Sequence, residues 1–299
     1  MQALVAWVWH DVANIEIAPA GFAACAVFLG WLWLIGACFA YRLKQDAAAA
    51  AIFAVCTLLA SAIMTLLLSH LALSLHRPRI DDQLAQLDRS LGIYWPGVMA
   101  WAAAHPHISV ALSWVYLISG LQAAGVIAVL ATSGRIAELE RFCLVIVVSG
   151  LVTILLWMPF PSFGAITVYG LSKDVAASVS PRLGPGDAHG MIYLWQHGPG
   201  YITFVSTKGL VGFPSYHTAE AIISTWATHR VRWAFWPFVL FNIAVMISIP
   251  IHGGHHVVDM FGGIGVAAAS ITLAARLEIY LRDRSGLGRA TRGAARGVS

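Results

Sequence analysis

The chain has 299 residues, enough for one large domain or two small ones. Hydrophobic residues make up 59% of it and charged residues 11%, with a mean hydropathy of +0.75. Soluble domains carry roughly 45–50% apolar and about 25% charged residues, so this composition excludes a water-soluble globular enzyme, a disordered chain, a coiled coil and a disulfide scaffold. The net charge of +4 comes with no basic patch interleaved with aromatics. It reads as a membrane-orientation signal rather than a nucleic-acid surface.

Seven apolar runs follow in chain order: Pro19–Tyr41, Ala47–Leu75, Ile108–Thr132, Phe142–Pro159, the shorter and more polar Phe213–Thr228, Trp233–Ile251 and Val257–Leu281. A hydrocarbon core of about 30 Å needs roughly 20 apolar residues per helix, so the expectation is an all-α polytopic bundle of six to seven spans. A single membrane domain is expected over 1–285, followed by a basic, disordered tail over 286–299. The segment before the first run holds Asp11 and Glu16 but no Lys or Arg, so that run is read as a retained span rather than a signal peptide. With the N-terminus outside, the inside loops and tail hold Arg42, Lys44, Arg135, Arg141, Arg230, Arg232, Arg276, Arg282, Arg284, Arg289, Arg292 and Arg296. The outside holds only Arg77, Arg79, Arg89, Lys173, Arg182 and Lys208. That asymmetry favours N-outside, C-inside, unless the Phe213 segment is re-entrant. Cys25, Cys38, Cys56 and Cys143 lie in apolar runs without paired spacing and read as small core hydrophobes.

Two outside loops are long. In the first, His76–His107, the residues Ile80, Leu84, Leu87 and Leu91 recur at helical spacing, which predicts an amphipathic helix in the interface with Trp95 and Trp101 in the aromatic belt. The second, Phe160–Gly212, is rich in Gly and Pro, and a loop of that length is expected to be a functional lid or cap.

Two histidine clusters open predicted helices. In FPSYHTAE (Phe213–Glu220), Pro214 and Ser215 form a helix start with Ser215 as cap, and the first-turn N–H groups make an anion site beside His217. In IHGGHHVVDM (Ile251–Met260), His255 and Asp259 stand at i and i+4 on one helix face, where the carboxylate can take Nδ1–H and leave Nε2 free as nucleophile or base. The spacing of His252, His255, His256 and Asp259 also suits metal ligands. A haem- or metal-binding membrane protein using these outer-face histidines is therefore the alternative reading.

PSYHT followed 38 residues later by HHVVD resembles the second and third motifs of the type-2 phosphatidic acid phosphatase superfamily. The resemblance implies a membrane enzyme in which His255 attacks phosphorus, Asp259 orients it, and His217 protonates the leaving group. It further implies that Ser215 and the Tyr216 N–H bind phosphate. Aligned on the pattern SRxxxxxHxxxD, Ser248 matches the Ser, but Ile249 stands where the family has Arg. The basic first motif, KxxxxxxRP, is met only by His70 through Arg77–Pro78, with His for Lys and far upstream of Ser215. Lys208, and after it Arg182, are the cations expected to replace the missing charge. Asp88–Gly92 (DRSLG) resembles the inositol phosphorylceramide synthase-like branch of that superfamily. Glu220, one turn below His217, and His252 are accessory candidates. The expected partners are a lipid phosphate substrate, a lipid-alcohol acceptor if the enzyme is a transferase, and the bilayer, without metal or other cofactor. The expected site faces the periplasm of a bacterial inner membrane.

Overall fold

A computed structural model describes residues 15–204 and 209–284; Lys208 and the expected basic tail lie outside them. Among the described residues the protein is an all-α bundle with one minor exception. The two-residue strand β1 (Glu16–Ile17) pairs in parallel with β2 (Tyr201–Ile202) and ties the start of the first helix to the second long loop. The long helices are α1 (Pro19–Tyr41), α2 (Asp46–Ala72), α7 (Ile136–Trp157), α12 (Arg232–His252) and α13 (Val257–Arg284). All five are long and apolar enough to cross a membrane, and a bent pair, α5 (Pro106–Ser119) with α6 (Gln122–Thr132), makes a sixth if it counts as one span.

Three expected elements come out differently in detail. The run Ile108–Thr132 is two helices meeting at 58° across Gly120–Leu121, and the Ser119–Gly120 pair is the kind of sequence at which helices kink. The Phe213 run gives α11 (Tyr216–Thr228), of 13 residues and so only about 20 Å long, short of a full span. It nevertheless reaches the far end of the bundle, because Arg230, just beyond it, lies 3.7 Å from Glu138 in the first turn of α7. Its first turn is sunk into the bundle, with Ser215, Thr218 and Ala219 fully buried. Helix α7 itself begins earlier than the apolar run, since Arg135–Glu138 and Arg141–Glu278, each at 2.8 Å, neutralise its charged first turns.

The bundle core is drawn from α2, α6, α7, α11 and α13, with Phe142, Val145, Leu130, Ile223 and Val266 at its centre. The cysteines contribute less than expected: Cys38 is exposed, and Cys25, Cys56 and Cys143 are half-buried, Cys143 against the edge of the core.

The expected amphipathic helix is α3 (Asp81–Ser90), but its packed face is displaced from the leucine stripe. Asp81, Leu84, Ala85 and Asp88 are buried, while Leu87 and Leu91 stay half exposed. Trp95, expected at the interface, opens α4 (Trp95–Ala104) inside the protein at 1% exposure, and its indole N–H donates to the Pro250 carbonyl at 2.9 Å. Trp101 remains exposed and stacks on His105. The second long loop folds into α8 (Ile166–Tyr169), α9 (Lys173–Val179) and α10 (Pro185–His197), which pack as a cap over α4 and the end of α12.

Candidate active site

The chain from Pro250 to Val258 joins α12 to α13 and is held from every side. Its carbonyls accept from Trp95 Nε1 at Pro250, from the Leu183 amide at His252 (3.0 Å) and from the Ile166 amide at Gly254 (3.2 Å). Gly254 has φ +65°, and Gly164 (φ +93°) lies so close that a Cβ there would fall 2.5 Å from the Gly254 oxygen. Glycine is required at both, for conformation and for approach. This loop delivers His255, which is 5% exposed, to the start of α13. His255 Nδ1 lies 3.1 Å from Asp259 Oδ2, which also accepts the His256 amide at 3.0 Å. With Nδ1–H donated to the carboxylate, Nε2 keeps its lone pair.

The Phe213 segment meets this turn directly. A cis Phe213–Pro214 bond precedes Ser215, the N-cap of α11. The buried Ser215 hydroxyl accepts from the Thr218 amide and its own amide donates to the Asp259 carbonyl at 3.0 Å, so the two helix starts are stitched together. Gly262 and Gly263 on α13 permit that approach: a Cβ on Gly263 would lie 2.4 Å from the Ser215 oxygen. The result is a 6.4 Å separation of the His217 and His255 ring centroids, at 72°. The two imidazoles are thus near neighbours at the paired helix starts. The amides of Tyr216 and His217 are the first-turn donors of α11 not spent on capping, at the positive end of the helix dipole.

The other sequence candidates separate. Glu220 is half-buried one turn further along α11. His252 is fully buried with Nε2 on the Ser109 carbonyl at 2.9 Å, serving the loop rather than His255. Arg182 is exposed, its guanidinium 5.4 Å from the centre of the Trp114 ring, beside the point where Leu183 fastens the cap to His252. His70 is buried within α2 with Nδ1 on the Leu66 carbonyl, and Arg77 is exposed. The metal set proposed from spacing does not converge. His252, His255 and His256 each face a different partner, and among the described residues no group of three His, Cys, Asp or Glu is placed to hold a metal ion.

Four further residues stand at or behind the site; the sequence reading names Asp88 only as the start of DRSLG and Arg79 only as an outside cation, and gives none of the four a place here. Tyr116 of α5 stacks on His217 with centroids 4.7 Å apart, and its hydroxyl stands against Gly253. Asp88 of α3 accepts from the amides of Val257 and Val258, while Asp81 accepts from the Ser162 hydroxyl and the amides of Phe163 and Gly164. Burial pushes the Asp81 carboxyl above the usual carboxylate range, although those three donors pull the other way. Arg79, just before α3, has a buried Nη1 with no hydrogen-bond partner among the described residues.

The family model of the PAP2 superfamily matches residues 82–273, from the first turn of α3 into α13. No curated protein and no solved structure matches the chain.

Proposed function

The chain belongs to the PAP2 superfamily, and on that premise we propose that it is a multi-pass membrane enzyme that moves the phosphoryl group of a lipid phosphoester through a phosphohistidine on His255. The observation that carries the reading is the pairing of His217 and His255, 6.4 Å apart at two helix starts, with Asp259 on the far nitrogen of His255.

His255 Nε2 attacks phosphorus in line. The N–P bond forms as the P–O bond to the lipid alcohol breaks, and His217 supplies the proton to the departing oxygen. The Ser215 turn, through the Tyr216 and His217 amides, stabilises the charge on the equatorial oxygens. An acceptor then enters, gives its O–H proton to His217 and takes the phosphoryl group, so that the O–P bond forms as N–P breaks and both histidines return to their starting state. Water as acceptor makes a phosphatase. A lipid hydroxyl such as that of ceramide or diacylglycerol makes a phosphotransferase, the variant to which the DRSLG segment points. The positive charge replacing the missing arginine comes from Lys208 and Arg182, with Arg79 as a further cation at the edge of α3. The site opens to the periplasmic side of a bacterial inner membrane, as the charge asymmetry of the loops directs.

The test is incubation of the detergent-purified protein with phosphatidic acid, with and without ceramide, and with ceramide 1-phosphate, with and without diacylglycerol, measuring free phosphate and the newly formed lipid phosphate. Turnover is expected in the wild type and is expected to vanish in His255→Ala and Asp259→Asn with membrane insertion unchanged. Full activity in His255→Ala would end the phosphohistidine mechanism.

A further inference from the structure

A second buried cluster stands directly behind His255 and touches none of the reacting atoms. Asp81, Asp88 and His256 are all at most 1% exposed. The His256 ring lies between the carboxylates, with Nδ1 3.6 Å from Asp88 Oδ2 and Nε2 3.9 Å from Asp81 Oδ1. A buried carboxylate is costly unless its oxygens are satisfied. Both oxygens of Asp88 are spent on the opening amides of α13, Oδ2 on Val257 at 3.0 Å and Oδ1 on Val258 at 2.9 Å. Those amides belong to the set every helix start leaves without an intrahelical partner. No Ser, Thr, Asp or Asn precedes α13 to cap it, because the residues there are Gly253, Gly254, His255 and His256. The cap comes instead from α3.

Resting on the reading of His255 as nucleophile, we propose that Asp88 is a positioning residue for it, acting through the first turn of α13. The carboxylate fixes that turn along its own axis. His255 sits just before the two bonded amides and Asp259 just after them, so both halves of the His–Asp pair take their place from the turn Asp88 holds. Asp81, two turns earlier on the same face of α3, fastens the 162–164 segment that Gly164 presses against the Gly254 carbonyl. Helix α3 thus clamps the His255 loop at both ends. One consequence concerns the substrate: with a carboxylate already on its opening amides, α13 cannot receive the phosphate, which leaves the α11 turn as the anion site.

The experiment compares Asp88→Ala, Asp88→Asn and Asp88→Glu with Asp82→Asn, an exposed carboxylate on the same helix, using phosphatidic acid in mixed micelles. A displacement of about 1 Å in a reacting group costs on the order of 100-fold in rate. The expected result is therefore a kcat lowered by about that factor in Asp88→Ala with KM within twofold, a smaller loss in Asp88→Asn, and no change in Asp82→Asn. Hydrogen exchange over residues 255–260 supplies a readout independent of turnover, and it is expected to accelerate in each folded Asp88 variant. If Asp88→Ala fails to fold, Asp88→Asn and Asp88→Glu carry the same comparison. Wild-type kcat in a folded Asp88→Ala, KM rising while kcat stays constant, or unchanged exchange overturns the proposal. His255→Ala in parallel separates the two claims. Activity there removes the phosphohistidine, whereas a dead His255→Ala beside a fully active Asp88→Ala removes only the positioning role.

Discussion

Tyr116 carries no group that phosphoryl transfer requires, yet its ring lies 4.7 Å from that of His217 at 26°, nearly parallel. A stack of this kind contributes about 0.5–1.5 kcal/mol beyond simple burial, and it holds the imidazole in one plane facing His255. If the orientation of His217 enters the transition state, losing most of that contribution lowers the rate about tenfold, since each 1.36 kcal/mol is one decade. Tyr116→Leu is therefore expected to lower kcat about tenfold while Tyr116→Phe keeps nearly all of it, read as initial rates at saturating lipid phosphate. Equal rates in the two variants would show that the stack is mere packing. The contrast with His255 and Asp259 explains what a sequence can disclose at this scale. An i, i+4 pair entering an apolar helix is visible because its partners are local. Tyr116 and Asp88 reach the site across 101 and 169 residues, from a run that looks uniformly apolar and from a helix whose leucines suggest the wrong face.

At the level of elements, the site depends on how closely α11 and α13 start together. The approach is set by Gly263, where an added Cβ would meet the Ser215 carbonyl at 2.4 Å and Thr218 Cβ at 2.6 Å. Both obstacles belong to the first turn of α11, which is held by its own cap and by the Asp259 carbonyl, so neither can yield cheaply. Gly263→Val is expected to push α11 away, lowering activity at least tenfold and reducing thermal stability by about 1–3 kcal/mol, as overpacking does. Gly265→Ala, where the added Cβ meets nothing within 4 Å, is expected to match the wild type in both measurements. A Gly263→Val protein with wild-type melting and turnover would refute the close-approach argument. Helix existence was readable from hydropathy because a buried or lipid-facing helix must be apolar throughout. The face of α3 was not, because its inward carboxylates are satisfied by amides from other segments, and hydropathy counts them as solvent-seeking.

Across the whole molecule, charge divides the bundle into two unlike ends. One end gathers Arg135, Glu138, Arg141, Arg230 and Glu278 in ion pairs that join the start of α7 to α13 and to the turn after α11. The other holds the cap, the α3 carboxylates and the histidine pair. On the proposed reading, the excess of Lys and Arg at the first end is expected to orient that end toward the cytoplasm, with His255 on the opposite side and its substrate in the outer leaflet. Single cysteines introduced at Ser133, in the α6–α7 turn, and at Gly190, on α10, test this directly; both positions are exposed. In a background with Cys25, Cys38, Cys56 and Cys143 replaced, a membrane-impermeant maleimide added to intact cells is expected to label the Gly190 site at once. The Ser133 site is expected to react only after permeabilisation. The reverse pattern would turn the bundle over, move the phosphoryl transfer to the cytoplasmic leaflet, and require that the charged end be held outside against the usual bias of basic residues.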